Sequence, residues 1–235
     1  MTTPLPSSGR PSRNPFAARS ERKQQQRAEL AGTSLIKSIR PSTAAGAGIL
    51  MLAALAVLWI ILGVDALFGD RLLRFGIKPR QLGGVEGIVV SPFLHANLAH
   101  LTANTVPFAV LGWLVLMGGL RYFVAVTAAV VLVAGGIDWG LGPSNSVIVG
   151  VSGVIFGWLG YLLARAWFSR SIKSIAVAVA VLAVFSSMFS GLLPRLGGNV
   201  FWGGHVAGFV VGVAVAAVLH RKPRPSPNVG LASPR

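Results

Sequence analysis

The sequence predicts an all-α membrane protein built from six transmembrane helices, with disordered termini. Hydrophobic residues make up 53% of its 235 residues and charged residues only 11%, and the mean hydropathy is +0.69. This composition is typical of membrane proteins. Six runs of the chain are nearly free of charge, and each is near the length that crosses about 30 Å of hydrocarbon. The distribution of basic residues then indicates how the runs are oriented.

The predicted spans define a membrane domain over residues 44–220. They are Ala45–Val64, Ala96–Gly118, Tyr122–Ile137, Gly153–Ala164, Ile175–Leu193 and His205–Leu219. The third and fourth are short, so we expect them to need a small tilt or a locally thinner bilayer.

The two tails, residues 1–43 and 221–235, are basic and rich in small polar residues and proline. Such segments are predicted to be disordered. With both tails in the cytoplasm, sixteen of the 21 basic residues lie on the cytoplasmic side. This satisfies the positive-inside rule and predicts an integral multi-pass protein of the plasma membrane. The expected partners of the tails are anionic lipids rather than nucleic acid, because no aromatic residues or fold signature for nucleic-acid binding accompany the charge.

Strongly polar residues recur where three of the predicted spans begin. The second span opens with FLHANLAHLTAN, the fourth with GVSG and the sixth with GGHVAG. In a six-span topology these three helices run in the same direction, so their first residues lie at one depth. Polar side chains within a bilayer are unfavourable and usually mark a functional site. We therefore expect the histidines, asparagine and serine of these segments to meet near the outer face.

The spacing of these residues separates two groups. His100 and Asn104 are four residues apart and share one helix face, whereas His95 is turned away and is expected to make a structural hydrogen bond. Metal binding by the histidines is the rival interpretation. The segment lacks the H-E-x-x-H pattern, and the chain has no cysteine. We therefore expect no metal site and no cofactor.

An acyl-transfer site gives each polar group a role. Ser152 is the candidate nucleophile and His205 its general base. His100, Asn104 and the backbone N–H of Ser152 are placed to surround an oxyanion. A more ordinary interpretation remains for the serine, since its hydroxyl can bond to a carbonyl one turn earlier. Asp138 is interpreted as a solvated interfacial carboxylate, so the site is predicted to be a dyad without a third member.

These segments resemble the rhomboid family of intramembrane serine proteases. That family carries H-x4-H-x3-N on the second core helix, G-x-S-G at the start of the fourth, and a histidine among small residues on the sixth. The matching positions are His95, His100 and Asn104, then Gly150, Ser152 and Gly153, then His205, Gly208 and Gly212. The resemblance covers residues 45–220 and implies a six-helix rhomboid-like bundle.

By this resemblance, the protein is a serine endopeptidase that cleaves membrane-anchored proteins near the outer face. It implies a Ser152–His205 dyad and an oxyanion site formed by His100, Asn104 and the amides of Val151 and Ser152. The expected partners are transmembrane protein substrates; nothing indicates the oligomeric state. The alternatives are a catalytically silent rhomboid-fold protein that binds transmembrane clients and a small transporter, although no internal repeat supports the latter.

Two departures from the family pattern concern the surroundings of the site. Many members carry Trp-Arg in the first loop, where this chain reads GIVVSPFLH, so its loop with basic residues 71–80 is expected to be anchored differently. A tyrosine often follows the nucleophile by four residues and stacks on the histidine, whereas Phe156 stands here. The loop of residues 194–204 contains Phe201 and Trp202, and is interpreted as a lid or as an interfacial aromatic anchor.

Overall fold

A computed structural model describes Gln24 and residues 43–194 and 201–221. Within these ranges the chain is almost entirely helical, and the only extended pairing is an isolated bridge between Ile77 and Ile148. The prediction of an all-α protein is therefore confirmed. Most of the two tails lies outside the described residues. Thr43, assigned above to the N-terminal tail, instead belongs to the first helix, because its Oγ1 accepts a hydrogen bond from the Gly46 amide at 3.0 Å.

Six long helices form the bundle in the described part of the chain. They are α1 Ala44–Leu67, α2 Leu98–Met117, α3 Leu120–Leu141, α4 Ser152–Ser169, α5 Ile172–Leu192 and α6 Trp202–His220. Five of them are long and apolar enough to cross a membrane, and α4 is the exception. At about 1.5 Å per residue, its 18 residues still span about 27 Å. The molecule is thus an integral multi-pass membrane protein.

Helix α4 lies at the centre of the bundle. Trp158, Leu159 and Tyr161 are almost completely inaccessible, and α2, α5 and α6 pack around them. A helix that is apolar around its whole circumference is normally buried in this way. Neighbouring helices therefore shield α4 from lipid. The helix can contain glycines and Arg165 because it does not need the hydropathy of a lipid-facing span.

The predicted limits of the third and fourth spans are wrong. Helix α3 is 22 residues long and includes both Arg121 and Asp138, and α4 continues beyond Arg165 to Ser169. The charge-free runs are shorter than the helices, because an arginine near a helix end can bury its apolar stem while its charged group reaches the interface. Neither helix is unusually short. The ends of the other four spans lie within three residues of the predicted positions.

Residues 68–97 between α1 and α2 fold back over the ends of α3 and α4. Four short helices follow one another there: Arg71–Phe75, Leu82–Gly84, Gly87–Val90 and Ser91–Phe93. The guanidinium of Arg80 donates to the carbonyl oxygens of Gly140 at 3.1 Å and Gly142 at 2.8 Å. This arginine and the bridge from Ile77 anchor the loop to the segment that leads into α4.

The glycines on α4 and α6 place the two helix backbones in direct contact. A Cβ atom added at Gly208 would overlap the carbonyl oxygen of Gly153, and one added at Gly212 would overlap that of Gly157. The same holds for Gly160 against the carbonyl of Phe209. Small residues four positions apart thus align the start of α4 with the start of α6.

Candidate active site

Ser152 and His205 meet where α4 and α6 begin. Ser152 is the first residue of α4, and His205 lies in the first turn of α6. The Oγ atom of Ser152 is 2.9 Å from Nε2 of His205. The other ring nitrogen, Nδ1, is 3.0 Å from the carbonyl oxygen of Gly191. Because a carbonyl can only accept, Nδ1 carries the proton in the neutral ring, and Nε2 accepts the hydrogen bond from the serine hydroxyl.

Phe156 fixes the plane of the His205 ring. The two rings stack with their centroids 4.3 Å apart and their planes inclined by 19°. Phe156 is one turn after Ser152 on α4, so the stacking side chain and the serine come from the same rigid element. The carbonyl of Gly191 holds the opposite edge of the imidazole. Sequence reasoning missed this contact, because a backbone carbonyl is common to all residues and gives no side-chain signal.

Gly150 allows His100 to lie directly against the loop before Ser152. Its φ is +120°, which side chains disfavour, and an added Cβ would lie 2.6 Å from Cε1 of His100. The Gly150 amide donates to the carbonyl of Ser91 at 2.9 Å. Both conformation and space therefore require glycine here. The starts of α2 and α4 therefore lie against each other.

His95 supports the loop from the opposite side. The Val151 amide donates to Nε2 of His95 at 3.5 Å, and the His95 ring packs edge-on against His100 at a centroid distance of 5.2 Å. His95 precedes α2, and its burial, with a smaller effect from His100, lowers its pKa to about 4. A neutral imidazole can accept this hydrogen bond. The Val151 amide, assigned above to the oxyanion site, therefore already has an acceptor in this structure.

Asn104 is buried on α2, one turn beyond His100. Its Nδ2 atom has no hydrogen-bond partner among the described residues. A buried amide donor without a partner is uncommon in proteins and calls for an explanation. The asparagine does not itself line the cavity beside Ser152, whereas His100 does.

That cavity has a volume of about 470 Å³ and opens beside the serine and histidine. Its lining includes Ser152, His205, His100, Asp138 and Trp202. This volume is within the range of small-molecule pockets. Phe201 also borders the cavity, and residues 195–200 of the predicted lid lie outside the described residues. Among the residues described, no group of three histidine or acidic side chains is arranged to hold a metal ion.

The interpretation of Asp138 as a solvated carboxylate is wrong. Its side chain is only 8% exposed, and Oδ1 has no hydrogen-bond partner within the described ranges. The residue lies near the end of α3, but α6 packs across it instead of leaving it open to solvent. It does not orient His205, whose Nδ1 bonds to Gly191.

The fold and the site define a polytopic helical membrane protein with a serine–histidine pair facing a shared cavity. The Rhomboid domain model matches residues 83–222, which is more than half of the chain. The chain therefore belongs to the rhomboid family.

Similar proteins occur in mycobacteria and in a plant. The chain is 38% identical over 204 residues to "Uncharacterized protein Rv1337" of Mycobacterium tuberculosis, covering 83% of this chain and 85% of that protein. It is 37% identical over 198 residues to "Uncharacterized protein ML1171" of Mycobacterium leprae, covering 80% and 78%. "RHOMBOID-like protein 5" of Arabidopsis thaliana is 28% identical over 152 residues, or 57% of this chain and 48% of the plant protein.

Proposed function

We propose that this protein is an intramembrane serine endopeptidase that cleaves membrane-anchored proteins. The observation that carries the proposal is the 2.9 Å contact between Ser152 Oγ and His205 Nε2, with Nδ1 of the same ring held by the Gly191 carbonyl. A nucleophile, a base in hydrogen-bond reach and a group that orients the base are the parts that activated serines require. Membership in the rhomboid family supports the same assignment.

The tautomer of His205, with its proton on Nδ1, allows Nε2 to act as the base in the proposed reaction. Nε2 of His205 takes the hydroxyl proton while Ser152 Oγ forms a bond to the scissile carbonyl carbon, and the carbonyl becomes a tetrahedral oxyanion. When the C–N bond breaks, the imidazolium returns this proton to the departing amine. A water molecule, deprotonated by the same nitrogen, then attacks the acyl-serine ester and releases the second product with a regenerated hydroxyl.

Three groups are proposed to stabilise the oxyanion. The amide of Ser152 is at the start of α4. The first N–H groups there lack partners within the helix, and the positive end of the helix dipole is located there. His100 borders the cavity beside Ser152. The unpartnered Nδ2 of Asn104 supplies a third donor after a small adjustment. Preorganised donors of this kind stabilise the negative charge that develops on the oxyanion in the transition state.

The orientation of the site is part of the proposal. If both termini are cytoplasmic, Ser152 and His205 lie toward the outer face of the plasma membrane, and the cavity is reached by water from that side. The substrates are then transmembrane proteins cut near their outer ends, without a metal or cofactor. The distribution of basic residues supports this orientation.

Cleavage in a defined bilayer tests the proposal. The purified protein, reconstituted in liposomes with a single-span model substrate, should produce two fragments whose masses locate one cut near the outer end of the span. Ser152→Ala should abolish the fragments. Ser146→Ala is the matched control, because this serine borders the same cavity but donates its hydroxyl to the Pro143 carbonyl at 2.7 Å. Fragments that persist with Ser152→Ala would contradict the proposal, and so would their absence with the wild-type protein across a panel of spans.

A further inference from the structure

Asp138 is an acidic side chain in the cavity that the proposed reaction does not use. It is 8% exposed, and its Oδ1 has no hydrogen-bond partner within the described residues. The carboxyl group faces the first turn of α6. There, a Cβ atom at Gly204 would lie 2.8 Å from Oδ2, so the missing side chain at this position leaves room for the carboxyl group where it stands. Since Gly204 precedes His205, Asp138 lies close to the reacting groups without touching them.

The neighbouring polar groups already have other partners. Arg80, the basic residue that reaches this end of α3, donates to the carbonyls of Gly140 and Gly142. His205 is held by Ser152 and Gly191. Asp138 therefore places a carboxyl group in the cavity wall without a cation beside it in the described ranges.

We propose that Asp138 selects substrates with a lysine or arginine side chain close to the scissile bond, an inference that rests on the proposed endopeptidase function. Oδ1 has no hydrogen-bond partner among the described residues, and a bound substrate with an apolar side chain at this place would leave it without one. A cationic side chain supplies both an N–H donor and the opposite charge.

Discrimination between cationic and apolar substrate side chains should be strong at such a site. A site with a buried polar group rejects a substrate that cannot pair with it, whereas a purely apolar pocket distinguishes similar side chains weakly. A hydrogen bond to a charged group corresponds to roughly a 10- to 100-fold difference in kcat/KM between a substrate that makes it and one that does not.

The test compares lysine with methionine, which is similar in length but has no donor or charge. In a single-span substrate, each of the two residues on either side of the scissile bond is replaced in turn by Lys or Met, and kcat/KM is measured. For the wild-type protein, the Lys substrate should be cleaved about 10- to 100-fold faster at one of these positions. With Asp138→Asn this ratio should fall to near one, while the Met substrate is cleaved at least as fast as by the wild type.

Several outcomes would overturn the inference. One is a Ser152-dependent cleavage with no preference for Lys at any position. Another is a preference that survives in Asp138→Asn. A third is an equal loss of rate on every substrate, which would indicate a structural role for the carboxylate at the start of α6. If the wild type cleaves nothing, the proposed function fails and this inference fails with it.

Two further variants complete the test, one as a control and one as a substitute for Asp138→Asn. Glu86→Gln removes an exposed acid of the first loop and should retain the preference for Lys; its loss there would point to long-range attraction instead of Asp138. Asp138→Ser is the second variant in case Asp138→Asn does not fold, as judged by labelling of Ser152 with a serine-directed probe. It should also reduce the Lys-to-Met ratio to near one, and a retained ratio would overturn the inference.

Discussion

The carbonyl oxygen of Gly157 lies where the side chain of residue 212 would begin. An added Cβ at Gly212 would overlap that oxygen, so α4 and α6 are in contact backbone to backbone. One turn earlier, the carbonyl of Gly153 has the same relationship to Gly208. These contacts follow Ser152 and His205 along the two helices. They set the separation of the helices that carry the hydrogen bond between these residues.

Gly212→Val should abolish or severely reduce cleavage although it leaves both reacting groups in place. The valine side chain has to push α6 away from α4, and a displacement of about 1 Å at the reacting groups reduces the rate on the order of 100-fold. Initial rates on a model substrate measure the effect. Gly63→Val is the matched control, because that glycine of α1 is exposed with nothing within 4 Å of an added Cβ. Equal rates for Gly212→Val and the wild type would disprove that this contact aligns the dyad.

Asn104→Ala should reduce turnover by about 10² to 10³ with little change in melting temperature. The loss is that of one oxyanion donor. Stability should change little because Nδ2 of Asn104 has no partner to lose among the described residues. The contrasting variant is Asn97→Ala, which removes the side chain that accepts from the His100 amide at 2.9 Å and caps α2. That change should lower stability by about 1 kcal/mol. Near wild-type turnover for Asn104→Ala would leave Asn104 with a structural role only.

The orientation in the membrane can be measured with two introduced cysteines. Leu82 in the first loop and Ile172 at the start of α5 are both 86% exposed and lie at opposite ends of the bundle. In intact cells, Leu82→Cys should react with a membrane-impermeant thiol reagent and Ile172→Cys should not. The native chain contains no cysteine, so the background is low. The reverse pattern would place the site on the cytoplasmic side.

The sequence was sufficient to predict the helices that carry chemistry. Polar side chains stand out in apolar runs, and three parallel spans place their first residues at one depth, so Ser152, His205 and His100 could be grouped from their positions in the chain. The glycine spacing, also visible in the sequence, favours the close approach of α4 and α6, because glycine at every fourth position leaves a continuous groove on one helix face.

Other features depend on tertiary packing and could not be predicted in this way. The partner of His205 Nδ1 is a carbonyl on the 3-10 turn that ends α5, and only the folded chain brings Gly191 there. The burial of Asp138 results from α6 packing across the end of α3. Arg165 ended the predicted fourth span for the same reason. Only the folded bundle shows that this arginine lies near the end of a central helix that other helices enclose.

Labelling by a serine-directed fluorophosphonate probe tests the central claim most directly, since it reports an activated serine without any assumption about the substrate. We predict that the wild-type protein and Ser146→Ala are labelled, that Ser152→Ala is not, and that His205→Ala loses labelling although Ser152 is still present. If His205→Ala is labelled as fast as the wild type, or if Ser152→Ala is still labelled, then the hydrogen bond between these two residues does not activate the nucleophile.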